Sequence, residues 1–152
     1  MTLRYTVATA SIEQIHSHLK QCDEHFTPRL SSRVDLFEYS QKIFHGSVSF
    51  EAWEDSALVG MISAYLNDAN NRTGFITNVS VLKEYSMKGI ASSLLAMCLQ
   101  RARHLGFARM KLRVARENRA ATKLYSQAGF KVTEERGEDL VMEREILGQS
   151  TQ

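Results

Sequence analysis

Residues 3 to 9, LRYTVAT, alternate with a period near two and predict a short strand. Behind it, Ser11 and Gln14 have capping-box spacing, and Ile12, Ile15 and Leu19 fall on one face of a helix that should end near Cys22. The segment DEHFTPRLSSR holds the only proline, Pro28, and reads as a loop. A second helix, VDLFEYSQKIF, should follow, capped by Ser31 or Ser32 and broken by HGS.

Two β-rich runs come next, SVSFEAWE and ALVGMISAYLN, separated by Asp55 and Ser56, so they predict an antiparallel hairpin. After the polar loop DANNR, the run TGFITNVSV predicts another strand. A helix should then begin near Met87, with Ile90, Leu94, Cys98, Ala102 and Leu105 as its buried stripe and Gly106 as its stop. Strand ARMKLRV, a helix from Asn118 to Gly129, and strands near FKVTEE and DLVMERE complete the chain. The order β, α, α, β, β, β, α, β, α, β, β predicts a mixed-sheet α/β domain.

The 152 residues suit one domain, taken as 1–147 with a polar tail at 148–152. With 43% apolar and 24% charged residues, burial can offset chain entropy. A net charge of +2, spread among both signs, offers no basic stripe for nucleic acid, which is not expected as a partner. Cys22 and Cys98 lie far apart, and Cys98 sits in an apolar helical pattern, which points to buried thiols in a reducing compartment. The N-terminal stretch has no long apolar run behind a basic start, and no segment approaches the roughly 18 apolar residues of a span. A cytoplasmic protein without membrane contact is expected.

Two stretches carry candidate chemistry. In SMKGIA, Gly89 and Ala91 keep side chains clear of a helix start, where unpaired N–H groups and the helix dipole favour phosphate; Gly89 also suits a tight turn without any ligand. In NRAATKLYSQAGF, Asn118 can cap a helix carrying Ala121, Leu124, Tyr125 and Ala128. Taken singly, each of these residues serves a packed fold equally well. The five histidines show no ligand spacing, and no metal is expected.

Together the stretches resemble the acetyl-CoA-binding core of the GNAT superfamily of N-acetyltransferases. The family's R/Q-x-x-G-x-G/A is matched by Ser86 to Ala91, and its N-x-x-A-x-x-x-Y-x-x-x-G-F by Asn118, Ala121, Tyr125, Gly129 and Phe130. The departure is Ser86, where Arg or Gln is usual. The resemblance implies a mixed, mostly antiparallel twisted sheet flanked by helices, with acetyl-CoA as cosubstrate. The cofactor would lie between the strands ending at Val81 and Val114. Val79, Ser80 and Val81 would hold the pantetheine, and Ser86, Met87, Lys88, Gly89, Ile90 and Ala91 the pyrophosphate. Asn118 and Ala121 would line the pantetheine arm, and Tyr125 would protonate the departing thiolate.

The resemblance also implies an amine acceptor, met by the first two helices and their loop. There Arg29 and Arg33 can bind an anionic group or stand as solvated surface arginines, and Asn78, in TGFITNVSV, is a further candidate for acceptor contact. A neutral amine must attack the thioester, which costs a lysine-like amine of pKa about 10.4 roughly 4 to 5 kcal/mol at pH 7. TGFITNVSV offers no base. A water relay to Asp35, Glu51, Asp68 or His25 is one answer; an acceptor of pKa near 8, costing about 1 kcal/mol, is the one favoured. That points to an amino sugar, nucleotide-linked amino sugar or amino acid, acetylated by direct transfer in a monomer or homodimer. The alternatives are a protein N-terminal acetyltransferase, a non-catalytic acyl-CoA sensor, and transfer of longer acyl groups.

Overall fold

The computed structural model describes residues 2–146. The tail assigned to 148–152 lies outside the described residues. Strand β1 (Arg4–Val7) leads to α1 (Ile12–Cys22), and α2 (Leu36–Gly46) follows after two short 3-10 turns. Then come β2 (Val48–Glu54), β3 (Ala57–Tyr65), β4 (Thr73–Val81), α3 (Ile90–His104), β5 (Arg109–Ala115), α4 (Arg119–Gln127), β6 (Lys131–Arg136) and β7 (Asp139–Glu145). The order is the one expected from the sequence. Seven strands form one sheet in the order β1-β2-β3-β4-β5-β7-β6, antiparallel at every pair except β4 with β5. Among the described residues no helix is long and apolar enough to cross a membrane.

Strand alternation, shifted by one residue at a bulge that leaves Val59 without a partner on β2, divides the core between the two faces of the sheet. Val59 and Ile62 pack with Ile90, Leu94, Leu95 and Cys98 of α3, whereas Leu58 and Met61 pack with Ile15 and Leu19 of α1 and Ile43 of α2. Each fully buried side chain of this size contributes roughly 1.5 to 3 kcal/mol. Gly60 lets α3 settle close to β3: a Cβ there would stand 2.8 Å from Ile90 Cγ2. This contact seats the start of α3 beside the end of β4.

Local chemistry sets the helix ends. Ser11 and Gln14 form the expected capping box on α1. The cap of α2 is Asp35, whose carboxylate accepts from Glu38 N at 2.9 Å, rather than Ser31 or Ser32. Ser31 instead donates its N–H and hydroxyl to Asp23, at 2.7 and 2.6 Å, and Ser32 donates to Arg29 O at 2.6 Å. Helix α3 starts at Ile90, not near Met87, because Met87 and Gly89 are left-handed, with φ of 63° and 80°. It ends at His104, so Leu105, expected on its buried stripe, is 49% exposed.

Candidate functional site

The parallel pairing of β4 with β5 runs only from Thr73↔Arg109 to Ile76↔Leu112, although β4 continues to Val81 and β5 to Ala115. The departure begins at a bulge. Ser63 of β3 faces Asn78 while the next residue, Ala64, faces Ile76, so Thr77 is left over. An extra residue bends its strand and increases the local twist, here turning β4 away from β5. The leftover Thr77 carbonyl accepts a hydrogen bond from Tyr39 Oη at 3.2 Å.

Beyond the bulge β4 keeps its pairing with β3 and has a free edge toward β5. Leu82 N donates to Val59 O at 2.9 Å on the β3 side. By strand alternation Ser80 also pairs toward β3, and the backbone groups of Val79 and Val81 face the gap. The gap is a cavity of about 830 Å³. Val79, Ser80, Val81, Asn118, Ala121 and Tyr125 line it, as do Asn78 and Arg33. Arg29 does not; its guanidinium lies 3.9 Å from Asp23 and 3.8 Å from Glu24.

The residues Ser86 to Ala91 lie past the end of β4, outside this lining. Side chains cap α1, α2 and α4, but Gly89, at the N-cap of α3, supplies none, so the first N–H groups of α3 stay open. A left-handed Met87 costs of order 1 kcal/mol, and its side chain is 99% exposed, leaving the turn's backbone clear. Successive N–H groups in such a turn make a concavity suited to an anion. Ser86 spends its hydroxyl on Lys83 O at 2.8 Å, so its contribution to any phosphate falls to the backbone.

Opposite, Asn118 Oδ1 accepts from Ala121 N at 3.2 Å, which caps α4 and leaves the amide NH₂ for a ligand. Tyr125, one and two turns on from those residues, is 6% exposed and packs on Phe130 with centroids 6.0 Å apart. Burial pushes its phenol pKa well above the ordinary 10. Its hydroxyl makes no hydrogen bond within the described residues, is not among the sealed polar atoms, and so opens on the cleft.

Of the carboxylates weighed as relay ends, none lines the cleft. Asp35 caps α2, Asp68 holds Asn71, and fully buried Glu51 accepts from Thr6 and Thr9 hydroxyls and from the N–H groups of Thr9 and Ala10. His25 does line it, with Phe26 and Tyr39. Sequence reasoning also missed His18, buried at 1% exposure and bonded to Leu58 O and Ser80 Oγ. Its signal was present: it shares the helical face of Ile15, Leu19 and Cys22.

The site therefore combines a splayed parallel strand pair, a helix start without a side-chain cap and a buried phenol. Residues 12–130 match the family model described as Acetyltransferase (GNAT) family, and the chain belongs to that family. It is 34% identical over 67 residues to GCN5-related N-acetyltransferase 6, chloroplastic, of Arabidopsis thaliana, covering 44% of this chain and 23% of that protein. It is 36% identical over 72 residues to the uncharacterized N-acetyltransferase YycN of Bacillus subtilis (strain 168), covering 47% of this chain and 43% of that one. The matches thus span less than half the length of these curated relatives. The fold is similar to that of the PaiA N-acetyltransferase of Thermoplasma acidophilum in complex with coenzyme A, at a TM-score of 0.75 and 19% identity over 95% of this chain and 99% of that one.

Proposed function

We propose that the protein, acting through one domain spanning 1–147, is an acetyl-CoA-dependent N-acetyltransferase whose acceptor is a small-molecule primary amine of low pKa bearing an anionic group. The observation that carries this reading is the cleft, one cavity lined both by Val79 and Val81, whose backbone edge is unpaired toward β5, and by the buried phenol of Tyr125. Acetyl-CoA, when bound, supplies the activated thioester. Val79 and Val81 hold its pantetheine as an added strand would, Asn118 donates its free amide N–H to it, and the turn Met87 to Ala91 holds the pyrophosphate.

The amine forms its bond to the acetyl carbon as the carbon–sulfur bond breaks, and Tyr125 gives its proton to the departing sulfur. A phenol with a raised pKa does this only in concert with bond cleavage, since a free thiolate of pKa about 8.5 is a much weaker base than the phenolate. The amine's own proton leaves to water at the open acceptor end. No carboxylate relay is needed for an amine of pKa near 8.

Arg33 supports an anionic acceptor: it lines the cleft and has no ion-pair partner among the described residues, whereas the Asp139 carboxylate in the same lining is held by Arg113 at 2.8 Å. A thiol-release assay with acetyl-CoA against amino acids, nucleotide-linked amino sugars and lysine peptides tests the reading. Turnover should favour anionic amines of low pKa and weaken in Arg33→Ala through the acceptor's KM. Full activity on lysine side chains, with Arg33→Ala unchanged, contradicts it.

A further inference from the structure

One buried titratable group has no part in that mechanism. The ring of His18 has Nδ1 3.0 Å from Leu58 O and Nε2 2.9 Å from Ser80 Oγ, and that hydroxyl in turn lies 2.9 Å from Asn78 Oδ1, the amide oxygen and nitrogen being alike in shape. All three side chains are more than nine-tenths buried, with exposures of 1%, 7% and 5%. Such a chain can be solved by counting protons.

A carbonyl only accepts, so His18 Nδ1 carries a proton and donates it to Leu58 O. Burial pushes the pKa of His18 down to about 4, so the ring is neutral at pH 7 and Nε2 has to accept. Its donor is Ser80, because the alternative, Cys22 Sγ, is 3.7 Å away and a weak donor. Ser80 has only that one hydroxyl proton. Ser63, opposite Asn78 in the register, has a buried hydroxyl with no partner and supplies none. Two oxygens cannot share the 2.9 Å contact without a proton, so the Asn78 amide must present its NH₂ end to Ser80, a half-turn that leaves its shape unchanged.

We propose that His18, acting through Ser80, locks the Asn78 amide with its carbonyl oxygen aimed into the cleft, where it accepts an N–H of the acceptor amine. This rests on the amine-acetylation reading above. The cleft-facing end of Asn78 makes no hydrogen bond within the described residues and is not sealed from solvent. Orientation decides the chemistry there. An oxygen takes an N–H and leaves the amine's lone pair free to attack, whereas an NH₂ would donate to that lone pair and block it. Because the oxygen is uncharged, it holds the amine without stabilising the ammonium form as a carboxylate does. Asn78 touches the substrate; Ser80 and His18 are positioning residues.

Nitrogen NMR of the full chain, labelled in its side chains and without any acceptor, tests the lock. At pH 7, His18 should be the Nδ1–H tautomer with Nε2 bare, and Ser80→Ala should move the Asn78 side-chain amide resonance. An Nε2–H tautomer or an imidazolium in the unsubstituted protein overturns the proposal whether or not Ser80→Ala folds. With an amine that turns over, Ser80→Ala and Asn78→Leu should each raise the amine KM roughly ten-fold, leave the acetyl-CoA KM within about twofold, and combine with no further loss. Additive losses, or equal losses for both substrates, also overturn it. Absence of turnover on any amine, with the expected tautomer, counts against the acetylation reading and not against the locked amide.

Discussion

Ile76 and Leu112 are the last residues at which β4 and β5 pair, and from there the strands part around a cavity whose β4 wall presents the backbone of Val79 and Val81. Unpaired strand edges exchange their amide hydrogens readily. Adding acetyl-CoA should therefore protect the Val79 and Val81 amides, while Ser80, paired to β3, changes little. Hydrogen exchange read by NMR checks this, and equal protection across all three amides contradicts an added-strand mode of binding.

The buried phenol predicts the shape of the pH profile. As the acid of the proposed transfer, Tyr125 must carry its proton, and burial raises its pKa, so its protonated fraction stays near one beyond the ordinary phenol pKa of 10. The rate should rise as the acceptor amine loses its proton and then stay level to pH 10. A descending limb with its midpoint at or below pH 10 contradicts a sequestered Tyr125 as the acid.

Gly89 gives a backbone-only test of the proposed phosphate turn. A Cβ at this position meets nothing within 4 Å, so Gly89→Ala acts through φ, which is 80° and disfavoured for any residue with a side chain. The expected cost is about 1 kcal/mol, shared between stability and a several-fold rise in the acetyl-CoA dissociation constant. Calorimetric titration with coenzyme A measures it; unchanged affinity would place the phosphate elsewhere.

His18 links stability to acid. Its folded pKa is lowered by burial to about 4 from an unfolded value near 6.5, so between these values the unfolded chain binds the extra proton. Stability is unaffected above pH 6.5 and falls as pH drops toward 4, by about 3 kcal/mol from this residue. Denaturant melts across that range check the sign, and His18→Gln should flatten this part of the slope.

The sequence patterns made the element order legible because each element carries its own period and punctuation: Ser11 with Gln14, Asn118, and Gly106 all act within a few residues. The turn at Gly89 and the helix bearing Tyr125 were visible for the same reason. The divergence of β4 from β5 was not, because the surplus Thr77 exists only relative to the register of β3. The expected caps of α2 are engaged elsewhere, Ser31 by Asp23, eight residues before it, and Ser32 by Arg29 O. Nor did spacing distinguish Arg29 from Arg33, since the ion pairs of Arg29 depend on how the intervening turns fold. His18 lay on a buried stripe, but its partner Ser80 is 62 residues away.

The central claim is acetyl transfer in which Tyr125 protonates the departing sulfur. The most direct measurement compares thiol release from acetyl-CoA by the unsubstituted protein and Tyr125→Phe, with an amine acceptor, alongside acetyl-CoA affinity measured on the same samples. A kcat lower by roughly 10²- to 10⁴-fold with affinity nearly unchanged is the predicted result. Undiminished release by Tyr125→Phe, or tight acetyl-CoA binding by the unsubstituted protein with no release for any amine, would contradict it.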